Sequence, residues 1–238
     1  MTQLQDLITY VRERTLMQDN FAVTDATLTT MINGALGELY GLLVTRYEDY
    51  FIDTVMCALS QNQQEIPAPA NLMKIRAVDY NTSFDAPENL WYSINQFQLS
   101  ERNQYNNPMT TITQPWGKVC LAWRLKEGSI TISPASQSQG VYRVWFVPTF
   151  QKLVNLTDEV PANMDQQGWL ELAIAISCIR VMNAMKMDST AFLEEKMELR
   201  QRIISEAKNR QAAGGKRIAN VRYNNADMML PTGGWYDT

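Results

Sequence analysis

The chain has 238 residues, of which 45% are apolar and 19% charged, and its formal net charge is −4 at pH 7. This apolar content is enough for a sizeable hydrophobic core without support from metals or disulfides. The acidic balance argues against wholesale nucleic-acid binding but leaves room for a local basic patch. The chain contains no histidine, which removes the commonest general base and metal ligand.

The three cysteines, Cys57, Cys120 and Cys178, lie far apart and lack the spacing of metal ligands. An odd cysteine count behind a polar N-terminus predicts a reducing compartment, in which cysteines serve as small buried hydrophobic residues. The sequence has no phosphate-binding loop, dinucleotide-binding glycine motif, nucleophile elbow or zinc-ligand pair. We therefore expect no cofactor, no metal site and no catalytic residue.

Helical periodicity predicts two helices in residues 1–49. The first begins near Thr2, which forms a capping-box pattern with Gln5, and the second begins after Thr24, a favourable N-cap residue. Each carries apolar residues at the spacing of one helical face: Leu4, Leu7, Ile8 and Val11 in the first, and Leu28, Met31, Ile32, Ala35, Leu36, Leu39, Leu42 and Leu43 in the second.

Three glycines, Gly34, Gly37 and Gly41, fall inside the second predicted helix. Each costs roughly 1 kcal/mol relative to alanine in a helix interior. Close approach of another helix is the favoured explanation, and simple tolerance within a marginal helix is the alternative.

From Tyr50 to Pro148 the apolar period changes to two, which is typical of strands that bury one face. Glu127-Gly128 is a turn pattern between two such strands. The strands form one block between helical blocks, so residues 50–160 are predicted as an inserted antiparallel meander. Strands are expected around Asp53–Leu59, Leu72–Val78, Val119–Leu125, Ile130–Ile132 and Val141–Val147.

The segment from Asp165 to Met187 is apolar on nearly every side of a helical wheel. Such a helix must be buried by neighbours on all sides, and its four polar interruptions argue against a membrane span. A charged helix follows, from the cap residues Asp188-Ser189-Thr190 to Gly214-Gly215. These two helices occupy residues 161–215.

Together these blocks predict an α+β fold, in which a helical bundle carries an inserted antiparallel β-rich domain and an extended C-terminal arm. The arm, residues 216–238, is too aromatic for a solvated tail and too sparse in apolar residues to fold alone. We expect it to become ordered on a partner.

Two groups of side chains are candidates for binding. The cations at the end of the last helix and the start of the arm either stabilise a helix C-terminus or contact phosphate or an acidic protein surface. Tryptophans of the β region either fill the core or form an exposed platform for a sugar or receptor. The two groups are Lys208, Arg210, Lys216, Arg217 and Arg222, and Trp91, Trp116, Trp123 and Trp145.

The order of motifs resembles that of the head-to-tail adaptor proteins of tailed bacteriophages, the connector-ring or head completion subunits beneath the portal. The resemblance covers nearly the whole chain. Its motifs are LTTMINGALGELYGLL at 28–43, EIP at 65–67 before LMKIRAV at 72–78, LAW at 121–123, Gly128, ITISP at 130–134, YRVWFVP at 142–148, and Gly168-Trp169 opening an apolar helix.

The resemblance implies a four-helix bundle that carries the β-rich insertion. It also implies a structural subunit of the virion neck, assembled in the host cytoplasm as a twelve-fold ring around the DNA channel. Its implied partners are the portal protein, identical subunits, tail proteins (nozzle, tube or fibre) and the genomic DNA that passes through, with no membrane. Arm residues would bind the portal or a neighbouring subunit, and three cations would face the DNA channel or an acidic surface. These are Arg217, Arg222, Tyr223, Trp235 and Tyr236, and Lys208, Arg210 and Lys216. A carbohydrate- or receptor-binding virion module is the alternative.

Overall fold

The computed structural model describes residues 2–17, 23–83, 87, 90–102, 121–135, 138–165 and 168–212, with backbone alone for 208–212. Four α-helices and seven β-strands lie in this part of the chain. The helices are α1 (Leu4–Arg14), α2 (Asp25–Arg46), α3 (Leu170–Ala184) and α4 (Thr190–Ala212). The strands are β1 (Asp53–Leu59), β2 (Glu65–Pro67), β3 (Leu72–Asn81), β4 (Tyr92–Gln96), β5 (Ala122–Lys126), β6 (Ser129–Ser133) and β7 (Gly140–Pro148).

Helix α3 lies at the centre of the helical layer. Helices α1, α2 and α4 each contact it, and ten of its fifteen residues are buried. This arrangement follows from the sequence, since a helix that is apolar on every side needs a neighbour on every side. The expectation of a buried central helix is therefore confirmed.

An irregular segment covers the remaining side of the helical core. Leu153, Val160 and Met164 are buried in it among the helices. The Asn33 side chain of α2 fixes this segment: its amide donates to the Leu153 carbonyl at 2.8 Å and its Oδ1 accepts from the Leu153 N–H at 2.8 Å. The Asn33 side chain thus bonds the N–H and the carbonyl of Leu153, as a neighbouring strand would do. The segment can therefore be fixed in place without regular secondary structure.

The strands form one seven-stranded sheet in the order β1-β7-β3-β4-β5-β6-β2. All pairings are antiparallel except β4 with β5, which is parallel. The edge strands β1 and β2 contact each other without pairing, so the sheet is nearly closed into a barrel. A second apolar core fills its interior, built from Leu59, Ile66, Val78, Leu121, Trp123, Ile130, Ile132, Tyr142 and Val144.

The fold is mixed α and β, but the prediction of a four-helix bundle with an inserted antiparallel β domain is wrong. In a regular four-helix bundle, helices of similar length surround a shared core. Here α1 has 11 residues and α2 has 22, and α3 lies inside the layer with the other helices around it. The meander is also wrong, because β7 pairs between β1 and β3. The predicted arm lies outside the described residues.

The helical layer joins the sheet through a short 3-10 helix, Glu48–Phe51. The Glu48 carboxylate lies 2.9 Å from Lys74 Nζ and 2.9 Å from Arg76 Nη1 on β3. The Phe51 ring packs edge-on against Tyr40 of α2 at 5.2 Å between centroids. The junction therefore combines the ion pairs of Glu48 with an aromatic contact of Phe51.

The predicted N-cap residue is correct for α2 and wrong by one position for α1. Thr24 Oγ1 accepts from the Thr27 N–H at 3.3 Å, as the N-cap prediction requires. In α1 the N-cap is Gln3 instead of Thr2, and its N–H donates to Asp6. Thr2 does not cap the helix, because its N–H donates to the Asp165 carboxylate instead. The carbonyls of residues 156 and 158 accept from the first N–H groups of the helix.

Of the three glycines in α2, only Gly34 lies in a tight contact. A Cβ at Gly34 would stand 2.1 Å from Nη1 of Arg180, whereas one at Gly41 would meet nothing within 4 Å. The guanidinium of Arg180 crosses α2 there, donating to the Met31 carbonyl at 2.9 Å and lying 3.6 Å from Glu38. Gly34 therefore makes room for an arginine side chain and not for a helix backbone.

We predict that Gly34→Ala lowers the free energy of unfolding by about 0.5–2 kcal/mol. The displaced guanidinium loses a charge-assisted hydrogen bond of about 1.5–3 kcal/mol, which the higher helix propensity of alanine offsets by roughly 1 kcal/mol. Gly41→Ala is the matched control and should be neutral or stabilising by up to about 1 kcal/mol. Urea denaturation of both variants checks this, and equal midpoints would contradict it.

Candidate interaction surfaces

Helix α4 is the outermost helix and has one unpacked face. Its inner face packs on the helical core through Ile203 and Ala207, which are buried. On its outer face Leu193 is 46% exposed and Met197 72% exposed. Residues four apart share a helix face, so this pair forms an apolar patch at the surface.

Charged side chains tie the inner edges of α4 to other helices. Lys196 Nζ lies 2.8 Å from Glu38 of α2, and Arg14 of α1 lies 3.1 Å from Glu195. Ion pairs at such exposed positions contribute about 0–1 kcal/mol each. They therefore affect the orientation of α4 more than the stability of its packing.

The part of α4 around Ile203 lies beside the junction between helices and sheet. The Tyr47 hydroxyl donates to the Ile203 carbonyl at 3.0 Å, and the Tyr47 ring lies 5.0 Å from the Trp169 ring. Lys208 and Arg210 follow on the same helix, where only the backbone is described. The remaining predicted contact residues lie outside the described residues: Lys216, Arg217, Arg222, Tyr223, Trp235 and Tyr236.

The tryptophans of the predicted platform do not all lie on one surface. Trp123 is 4% exposed and fills the interior of the sheet, where its Nε1 donates to the Ile94 carbonyl at 3.2 Å. Trp145 is half-buried on the outside of the sheet, and Trp91 lies near it. Trp116 lies outside the described residues. The burial of Trp123 argues against an exposed stacking platform.

Arg143 of β7 forms the centre of a polar cluster on the outer sheet face. Its guanidinium carbon lies 4.5 Å from the Trp91 ring centroid and 4.8 Å from that of Trp145. Asp79 of β3 completes the cluster: its Oδ2 accepts from Trp145 Nε1 at 2.6 Å and lies 3.6 Å from Arg143 Nη2. Sequence patterns do not reveal this cluster, because Asp79 and Trp145 are 66 positions apart in the chain.

An open pocket of about 360 Å³ lies where the edge strands β1 and β2 diverge. Its lining includes Cys57, Leu59, Gln64 and Ile66. Burial raises the pKa of the Cys57 thiol, which leaves it a weak nucleophile. The lining is therefore of mixed polarity, with Leu59 and Ile66 beside Gln64 and the thiol of Cys57.

The other titratable groups with altered pKa values have structural roles. Burial raises the pKa of the Cys178 thiol to about 12, in keeping with a side chain inside the helical core. The N–H groups of Asn155 and Val154 lower the pKa of Asp158, which closes a turn with them. Within the described residues, acidic and cysteine side chains form no cluster that could hold a metal ion, and none of the helices is long and apolar enough to cross a bilayer.

We predict that Asp79→Ala lowers the free energy of unfolding by about 2–4 kcal/mol, because it leaves Arg143 buried without its carboxylate. Asp49→Ala is the control. Its side chain is 86% exposed and lies 3.8 Å from Arg76, so it should change stability by less than about 0.5 kcal/mol. Thermal unfolding of both variants tests the difference. Similar melting temperatures would show that the Arg143 cluster does not stabilise the sheet.

Comparison with known proteins gives one family. The model of the SU10 adaptor protein family matches residues 2–222, which include every described helix and strand. No curated protein sequence matches the chain. The family match confirms the resemblance to phage head-to-tail adaptors seen in the motif order. The chain therefore belongs to the SU10 adaptor protein family, a family of structural phage proteins.

Proposed function

We propose that this chain is a subunit of a twelve-fold ring that joins the phage portal to the tail around the DNA channel, without catalysis. The observation that carries the proposal is the family match over residues 2–222. The family gives the class of protein, a phage adaptor. The ring, its stoichiometry and the passage of DNA are the proposed part.

Features of the described surface support a ring. A closed ring needs two different patches on each subunit, because each subunit contacts one neighbour with one patch and the other neighbour with another. The exposed Leu193 and Met197 of α4 provide one apolar patch. Met56 of β1 and Met73 of β3, each about half exposed, provide separate apolar surface on the sheet.

The acidic character of the chain is compatible with a DNA passage. Each phosphate that a protein neutralises adds affinity for DNA. A net charge of −4 gives a ring of such subunits little overall attraction for DNA. The few cations at the end of α4 and in the arm, Lys208, Arg210 and Lys216, would then make local contacts with DNA or with an acidic protein surface.

The arm, residues 216–238, is proposed as the segment that anchors the subunit to the portal or to a neighbouring copy. Arginine and large aromatic side chains dominate the binding energy of protein interfaces. Arg217, Arg222, Tyr223, Trp235 and Tyr236 supply five such side chains within 23 residues. Distal contacts would be made with tail proteins in the virion neck.

We predict that a chain ending at Gly215 folds normally but no longer attaches to the portal complex. The described core ends at Ala207, so the truncation removes none of the described core residues. Trp235→Ala alone should weaken attachment by about 30-fold, the effect of losing one interface hot spot of about 2 kcal/mol. Co-purification with portal complex and with isolated tail parts, followed by negative-stain imaging, measures attachment.

Met228→Ala provides the matched control, since it shortens an arm side chain of a type that is less often an anchor than tryptophan. Its attachment should stay within about threefold of the full chain. A truncated chain that still caps the portal would refute the anchoring role of the arm. A full chain that ignores the portal and remains monomeric would refute the ring proposal itself.

A further inference from the structure

The loop that follows β7 presents two apolar side chains to solvent. Val154 is 76% exposed and Leu156 is 47% exposed. Apolar residues scattered singly over a surface are common, whereas two on one short loop form a patch of the kind found at protein interfaces. We call these two side chains the loop patch.

Hydrogen bonds within the chain hold this loop in one conformation. The Asp158 carboxylate accepts from the N–H of Val154 at 2.7 Å and from that of Asn155 at 2.8 Å. The Leu156 carbonyl accepts from the N–H of Gln5 in α1 at 3.0 Å. A surface that is already ordered loses little conformational entropy when it binds, so the loop patch is well suited to be one side of an interface.

The loop patch cannot meet the apolar patch of α4 within one chain, because the two lie on different sides of α2. Asn33 of α2 bonds Leu153, the residue before the loop patch. Glu38 of α2 lies 2.8 Å from Lys196 of α4. Asn33 and Glu38 are separated by five positions, which is about 140° around a helix of 3.6 residues per turn. A contact between the two patches therefore requires two copies of the chain.

The charges that border the two patches are complementary. On α4, the exposed Glu194 and Glu198 lie on one flank of the apolar pair and the exposed Arg200 lies on the other. Around the loop patch, the exposed Lys152 precedes it and the exposed Glu159 follows it. Each patch thus carries charges of both signs that the other can pair, which favours one register of contact over others.

We propose that the α4 patch of one subunit packs on the loop patch of a second copy of the same chain. The contact uses two different surfaces, so each copy still has one free patch of each kind for a further neighbour. Contacts of this type close into rings when the rotation between neighbours allows it. The proposal rests on the ring proposed above and assigns the surfaces through which its subunits associate, already in the absence of the portal.

The test changes each patch separately and then mixes the two variants. A loop variant carries Val154→Gln and Leu156→Gln, and an α4 variant carries Leu193→Gln and Met197→Gln, since glutamine is of similar size but polar. Each variant alone should self-associate at least about 30-fold more weakly than the unchanged chain. An equimolar mixture should form one-to-one dimers, because the intact α4 patch of one variant meets the intact loop patch of the other. Sedimentation velocity over a range of concentrations measures both effects.

A variant with Leu99→Gln and Leu125→Gln is the matched control. It also removes two large exposed apolar side chains, both outside the two patches, and should associate like the unchanged chain. Dimers in the mixture would also show that both variants are folded.

Three outcomes would overturn the proposal. The first is a loop variant that self-associates like the unchanged chain, since its α4 patches would then bind each other or another surface. The second is a mixture that remains monomeric, and the third is an unchanged chain that remains monomeric at about 100 μM. These measurements use free subunits, so the contact can fail while a ring still assembles on the portal, and it can hold while attachment to the portal fails.

Discussion

The burial of α3 on every side is the constraint on which the rest of the structure depends. No single helix can cover such an element, so α1, α2 and α4 converge on it from both ends of the chain. The remaining side is closed by the irregular segment that Asn33 holds through Leu153. The sheet is then attached at the edge of this layer, through the 3-10 helix that follows α2.

Polar groups fix positions that the apolar core leaves free. Arg180 crosses α2 at Gly34 and sets how α2 and α3 face each other. Arg143 and Asp79 do the same for neighbouring strands of the sheet. In each case a long cation is held by a carbonyl or carboxylate, and an apolar side chain of similar size would pack in several ways.

The elements with strong local signals were predictable from sequence. The all-round apolar pattern of α3, the Thr24 cap and the Glu127-Gly128 turn depend on neighbouring residues, and at the turn both residues have positive φ angles of 45° and 86°. Strands β2 and β4 were missed because one has three residues and the other is mostly exposed, without an alternating pattern. Strand order depends on contacts between distant residues, which periodicity does not contain. For the same reason the cluster of Arg143, Asp79 and Trp145 could not be predicted. The contacts of the arm stay a prediction.

The position of α3 and α4 at the end of the chain has a consequence for synthesis. All the described strands lie between residues 53 and 148, so the sheet can form as soon as that part has left the ribosome. The apolar face of helix α2 stays exposed until residues 170–207, which cover it, have been synthesised. Contacts between such distant segments make folding slow and leave the waiting surface prone to aggregation. The helical layer is therefore the last part to become stable, although its first helices are the first to be made.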